Sequence, residues 1–476
     1  MSGRCGTIRK LAWKVCATSI AALAFAAIPA LAQQTSTAPR DPAEPPQGKP
    51  QPKLLPRPAG AIARQTIDEK SMRALIHNLV SCGTRLTLSP WTDPKRGIGC
   101  GRDFVVARLN EIAGQSGGKL QVIVDKFESK SERTGPNPVH LENVYAILPG
   151  SDPKLAKTVF IVVGDVDSRP SNVMDPEADA PGADDDGSGT AVSVECARQL
   201  SKAAAAGRAK FRATLLFGVL SGEEQGLLGA NRLLEWTKEQ GYTVGAMLDN
   251  DIVGADPAPG GPHRVRVFSG NGEIEDADSP ARELARAIEE IDGRNAIRMI
   301  FRQDRYGRGG DHFPFYKAGL PGVRFTEPLE DYNHQHQTPR TENGVEYGDF
   351  EKYLNYTFMS NVARDNAEVL RQLAMAPAPP TNARLKGAVT PDAKVSFAAD
   401  DDPERAGFEI LWRETTDPRW HVYDFVAAPG EAVLKGVSTD NHFFAVRSVG
   451  KNGARSIAVI TEMERRAPPG SARSGS

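Results

Sequence analysis

The 476-residue sequence is poor in aromatic residues, at 7%, and has no surplus of either charge: 58 lysines and arginines stand against 60 aspartates and glutamates. The basic residues form no stripe and no helix face, so the electrostatic footprint of a nucleic-acid binder is missing. Only one stretch, near the N-terminus, is apolar enough to suggest a membrane, and it is short of the ~20 residues a spanning helix needs. No stable membrane anchor is therefore expected. Cysteine is scarce, at five residues, and histidine at eight. Few side chains can thus supply sulfur or nitrogen to a metal. Carboxylates remain, and these are clustered.

The apolar stretch belongs to a targeting segment. Arg4, Arg9, Lys10 and Lys14 precede an apolar run from Val15 to Pro29, and Ala30-Leu31-Ala32 fits the small-x-small cleavage rule. Residues 1–32 read as a signal peptide, placing the protein in the periplasm or outside the cell. Cys5 and Cys16 leave with it. Cys82 and Cys100 flank a Pro/Gly-rich loop, which in an oxidising compartment predicts a disulfide. Cys196, inside a predicted helix, reads as an inert core thiol.

At ~150 residues per domain, the length allows two or three domains. Residues 33–62, rich in Pro, Gln and Lys, read as a disordered linker. Residues 63–374 alternate apolar strands with amphipathic helices, which argues an α/β domain with a mostly parallel central sheet flanked by helices. A Pro-rich break follows, and 375–384 reads as a second linker. From 385 to 465 the pattern changes to short strands separated by turns, as in a small all-β sandwich. Residues 466–476 read as a polar tail.

The centre of the chain is Thr158 to Asp251. Three apolar runs, Thr158–Gly164, Ala213–Leu220 and Val244–Leu248, each lead into acidic residues: Asp165 and Asp167, then Glu223 and Glu224, then Asp249 and Asp251. Between the first two runs lies Asp184-Asp185-Asp186, ahead of a helix. In open α/β sheets ligands bind beyond the carboxyl ends of the strands, so these clusters should converge on one rim. A helix N-cap needs one Asp; three in a row repel one another unless a cation is near. Adjacent glutamates on a turn point in different directions, so one can hold a metal while the other serves as general base. Nitrogen should come from His334, His336 or His312.

Asp165-Val-Asp-Ser, Pro181-Gly-Ala-Asp-Asp-Asp-Gly-Ser-Gly189, Gly222-Glu-Glu-Gln-Gly-Leu-Leu-Gly229, Asn250-Asp-Ile-Val-Gly254, Gly310-Asp-His312 and His336-Gln-Thr-Pro339 resemble the M28 family of zinc aminopeptidases, in the right order from about Glu69 to Leu373. The C-terminal strands look like the fibronectin-III-like appendage of some members. The resemblance implies a zinc aminopeptidase/phosphorylase-hydrolase-like fold and a secreted exopeptidase acting on peptide or protein N-termini. It implies two Zn²⁺ ions: Asp185 bridging, Glu224 and His336 completing one site, and Asp251 in the second. Glu223 would be the general base and Asp167 would support the site. Asp249 competes with Asp251, but the family's Asp-hydrophobic-hydrophobic-Gly pattern fits Asp251. His334 is expected only to shape its loop.

One departure matters. The family pattern opens with His where this chain has Asp165. The second site would then be Asp165, Asp185 and Asp251, an all-carboxylate set that favours Mn²⁺ or Mg²⁺ more than an imidazole site does. Two zincs, a mixed pair and a single zinc all remain compatible with it. Two other functions stay open: a one-zinc glutaminyl cyclase, and a secreted binding protein on a degenerate peptidase scaffold.

Overall fold

A computed structural model describes residues 56–464, apart from 262, 271–277, 294–295, 301–308 and 388. The expected signal segment, most of the first linker and the tail lie outside the described residues.

Seven helices and eight strands build the α/β body: α1 (Glu69–Ser81), α2 (Ile98–Gln115), β1 (Gln121–Ser129), β2 (Val139–Leu148), β3 (Thr158–Asp165), α3 (Gly187–Ala205), β4 (Thr214–Leu220), α4 (Leu228–Glu239), β5 (Thr243–Asn250), β6 (Val265–Phe268), α5 (Pro280–Asp292), β7 (Ile297–Ile300), α6 (Phe313–Lys317), β8 (Gly322–Thr326) and α7 (Tyr356–Met375). The strands form one sheet in the order β1-β2-β4-β3-β5-β8-β6-β7. Its centre, β4-β3-β5-β8, is parallel. The β1–β2 and β2–β4 pairings and the β8–β6 pairing are antiparallel, because a parallel neighbour requires a long crossover and β1 returns into β2 without one. The β6–β7 pairing is parallel, so the sheet is mostly parallel, and the acidic clusters lie at its parallel centre.

Strand residues alternate between two cores. Val162, Leu215 and Phe217 pack with Leu75, Leu109, Val192, Leu284 and Val362 from α1, α2, α3, α5 and α7. Ile161, Val163 and Leu216 face the other way, against Leu233 and Trp236 of α4 and Phe315 of α6. Burial on both faces explains why β3 and β4 read as continuous apolar runs. The start of α3 is pressed onto the sheet. A Cβ on Gly164 would sit 2.2 Å from the Gly189 carbonyl carbon, and one on Gly189 would sit 1.9 Å from the Asn250 carbonyl oxygen. Only glycines allow this approach, and it brings the residues ahead of α3 to the ends of β3 and β5.

Several boundaries differ from expectation. Residues 56–62, assigned to the disordered linker, lie along α7: Arg371 donates to the carbonyls of Pro58 and Ala59, and the Ile62 amide donates to Glu368. The polar loop before α7 contains a hairpin, Arg340–Glu342 with Val345–Tyr347. The last helix starts at Tyr356, where the Asn355 side chain caps it by accepting from the Phe358 amide. The C-terminal strands begin at Thr381, inside the expected second linker. Two four-stranded sheets follow, closed over Leu385, Val395, Phe397, Phe408, Trp412, Phe444 and Val446. They are not tethered loosely. Arg447, Arg413 and Arg419 pair with Glu290, Asp278 and Glu289 on and beside α5, and the Trp420 indole donates to Glu283.

Cys82 and Cys100 are joined by a disulfide with a Cα–Cα separation of 5.9 Å. The loop it closes carries Thr84, Arg85 and Thr87, all buried, and the latter two reach the acidic rim. Closing a loop of this length stabilises by about 3 kcal/mol in the chain-entropy account. The Cys82→Ala/Cys100→Ala variant should lose about that much in urea unfolding, whereas Cys196→Ala, at a buried free thiol, should lose less.

Candidate metal centre

Asp165 is the last residue of β3, Glu223 and Glu224 sit just past β4, Asp251 directly follows β5, and Asp185 lies shortly before α3. The parallel centre of the sheet thus delivers each expected acid to the same edge.

The three consecutive aspartates have separate tasks. Asp186 caps α3 through the Gly189 amide (3.0 Å) and also accepts from the Asp165 amide (2.9 Å). Asp184 accepts from the Gly254 amide at 2.7 Å. Asp185 is turned to the rim, where its Oδ2 lies 2.8 Å from His336 Nε2. The peptide between Asp185 and Asp186 is cis. From behind, Asp349 accepts the backbone amides of both Asp184 and Asp185, at 2.9 and 2.8 Å. Backbone donors thus hold the outer aspartates in place, while Asp185 faces the rim.

His336 Nε2 is also 3.0 Å from Glu224 Oε1. Ligand atoms of Asp185, Glu224 and His336 all lie within 4.8 Å of one another, and among the described residues this is the one group of its kind. His336 has a φ of +54°, a left-handed conformation that non-glycine residues adopt at a cost, often at functional sites. Glu224 Oε1 is buried, with the His336 ring as its near neighbour. Two carboxylates and one imidazole, with room for a further ligand, fit zinc. Burial pulls the His336 imidazole down, but Glu224 and Asp185 outweigh it and push it up to about 10. Zinc would displace that proton.

The second expected set is not drawn together in this way. Asp165 and Asp251 do not join Asp185 in a group as tight as the first, among the described residues. Asp251 Oδ2 instead lies 3.0 Å from Arg324 Nη2, a guanidinium only 1% exposed. Asp249 accepts from the backbone and ring of His312 at 3.1 and 3.2 Å. His334 stacks on Tyr353 with ring centroids 3.6 Å apart and pairs with Asp331, shaping its loop.

Asp167 acts through the chain beside it. Its carboxylate accepts from the amides of Gly222 (2.6 Å), Glu223 (3.3 Å) and Glu224 (3.2 Å), and from the Thr87 hydroxyl (2.9 Å). It therefore sets the turn that aims both glutamates. Burial and Glu224 push Asp167 up to about 6. Desolvation, then Asp251, Glu224, Asp311 and Asp185, raise the Glu223 carboxyl well above its ordinary value.

Sequence reasoning missed four residues. Arg85, fully buried, donates to the carbonyls of Val166, Pro181 and Gly182, tying the β3 loop to the aspartate loop. Asp349 holds the Asp184–Asp185 backbone. Arg324 pairs with Asp251. Asp311 is 1% exposed, and both its carboxyl oxygens lack a hydrogen-bond partner among the described residues. The neighbouring His312 was noted, and the Gly310-Asp-His312 run was the one signal that pointed at Asp311.

The chain is 38% identical over 417 residues to a probable zinc metalloprotease of Leptosphaeria maculans, covering 83% of this chain and 95% of that protein. The chain belongs to peptidase family M28. The model of that family matches residues 143–359, which span Asp165 through His336. A second relative, a probable zinc metalloprotease of Pyrenophora tritici-repentis, is 38% identical over 435 residues, 85% of this chain and 88% of that one. Among solved structures, the LapA aminopeptidase of Legionella pneumophila overlays with a TM-score of 0.50 at 18% identity, covering 66% of this chain and 74% of LapA. That likeness shows the α/β fold.

Asp167→Asn keeps the shape but removes the charge that gathers the Gly222–Glu224 amides. Its kcat on a peptide substrate should fall about 10–100-fold with KM little changed, measured by steady-state kinetics on zinc-loaded protein. Equal kcat in variant and wild type would remove Asp167 from this role.

Proposed function

We propose that the protein is an exported zinc aminopeptidase that trims the N-termini of peptides or proteins. The observation that carries this reading is Glu223, set beside the Asp185–Glu224–His336 group and aimed by the same Asp167 clamp that aims Glu224. Asp185, Glu224 and His336 would hold the ion. Zinc, when bound there, supplies Lewis-acid activation of the scissile carbonyl and of water at neutral pH. Glu223, with its proton affinity raised by its surroundings, takes the proton of the attacking water and hands it to the leaving amine. The carboxylates Asp251 and Asp311, whose charges act on Glu223, would favour a cationic substrate N-terminus. The signal-like leader and the Cys82–Cys100 disulfide support export. Among the described residues no helix is long and apolar enough to cross a membrane.

Because one metal group converges tightly, a one-zinc cyclase is the second reading. Conversion of an N-terminal glutaminyl peptide to its pyroglutamyl form, without hydrolysis, would replace the peptidase by it.

Glu223→Gln should retain zinc and lose about 10²–10⁴-fold in kcat, read by release of the N-terminal residue from unblocked peptides. Hydrolysis at the wild-type rate would remove Glu223 as base. N-acetylated peptides should resist the wild-type enzyme, and their equally fast cleavage would contradict the aminopeptidase assignment.

A further inference from the structure

We propose that the guanidinium of Arg324 takes the place of a second metal ion, so that the chain carries a single zinc, at Asp185, Glu224 and His336. This rests on the reading of those three residues as a zinc site and goes beyond it.

Four observations converge. Asp165 stands where the family resemblance calls for a nitrogen ligand. Asp251, the remaining ligand expected at the second site, has Arg324 Nη2 3.0 Å from its Oδ2. Arg324 is held there rather than leaning in from solvent. It lies on β8, opposite Asp249 in the parallel pairing with β5, and its Nη1 donates to the Gly309 carbonyl at 2.6 Å. The loop after that carbonyl packs onto the same spot: a Cβ on Gly310 would lie 2.6 Å from Asp249 Oδ2, 3.0 Å from Arg324 Cδ and 3.3 Å from Asp251 Oδ2. The volume beside Asp251 is thus closed by backbone and already holds a cation.

Charge compensation explains the exchange. Buried carboxylates persist only with cations, protons or strong hydrogen-bond donors near them. Asp165, Asp249, Asp251 and Asp311 are all at most 5% exposed. A divalent ion could offset part of this charge, and so can a guanidinium, which is always charged and cannot dissociate. With Arg324 in place, a second divalent ion would meet a like charge and lose Asp251 as an unencumbered ligand.

The test is zinc stoichiometry of the mature full-length chain, stripped with chelator and titrated with Zn²⁺ by calorimetry, with bound metal counted by elemental analysis after dialysis. Wild type should bind one equivalent. Arg324→Ala should bind two, and millimolar free guanidinium should displace the second. If Arg324→Ala does not fold, Arg324→Gln, which keeps more of the packing, is expected to bind two in the same way. Two equivalents in wild type, or one in a folded variant lacking the guanidinium, would overturn the proposal and leave the first site intact. No bound zinc in any form would overturn the metal-centre reading itself.

Discussion

The constraint on which this structure turns is the compensation of negative charge at one edge of the sheet. Strands β3, β4 and β5 end in acids, and the loops ahead of α3 and α6 add more. In water such a crowd would only repel, but here most of it is buried, where unpaired charge is far more costly. Arg85 neutralises the rim from the side of the Cys82–Cys100 loop, its own charge opposed by burial and supported by Asp349, Asp165, Asp186 and Asp167. Arg324 does so from β8. Backbone amides satisfy Asp167, Asp184, Asp186 and Asp349. What remains is the mouth formed by Asp185, Glu224 and His336, where Arg169 reaches one Glu224 oxygen at 3.4 Å and a metal ion can complete the balance.

That division of labour turns an acidic edge into a site. Each carboxylate with a backbone partner becomes scaffolding. Asp167 orders the glutamate turn, Asp186 starts α3, and Asp349 braces the aspartate loop. The carboxylates at the mouth carry the chemistry: Asp185 and Glu224 toward a metal, and Glu223 toward a proton. The glycine contact between β3 and α3 sets the spacing, since a single side chain at Gly164 or Gly189 would lift the aspartate loop away from the strand ends.

Much of this was legible before any coordinates. The apolar runs of β3, β4 and β5, each ending in acids, marked both the sheet and the rim, and Asp185, Glu223, Glu224 and His336 were named from motif order. The arginines were not legible. Arg85 and Arg324 stand alone in sequence, with no periodicity or cluster to separate them from surface arginines, and their burial is a product of tertiary packing. Asp349 is hidden for the same reason. The mostly parallel sheet was legible too, but its antiparallel pairings at β1, β2 and β6 were not, because strand direction depends on connections that hydrophobic patterning does not encode. The packing of 56–62 on α7 depends on Arg371 finding carbonyls, which composition alone cannot foretell.

Anomalous diffraction at the zinc absorption edge, from crystals of the mature protein grown with zinc, tests the central claim most directly. The account predicts one strong peak, bounded by Asp185, Glu224 and His336, with the Arg324 guanidinium ordered against Asp251. A peak of comparable height between Asp185 and Asp251, or none at the Asp185–Glu224–His336 mouth, would contradict it.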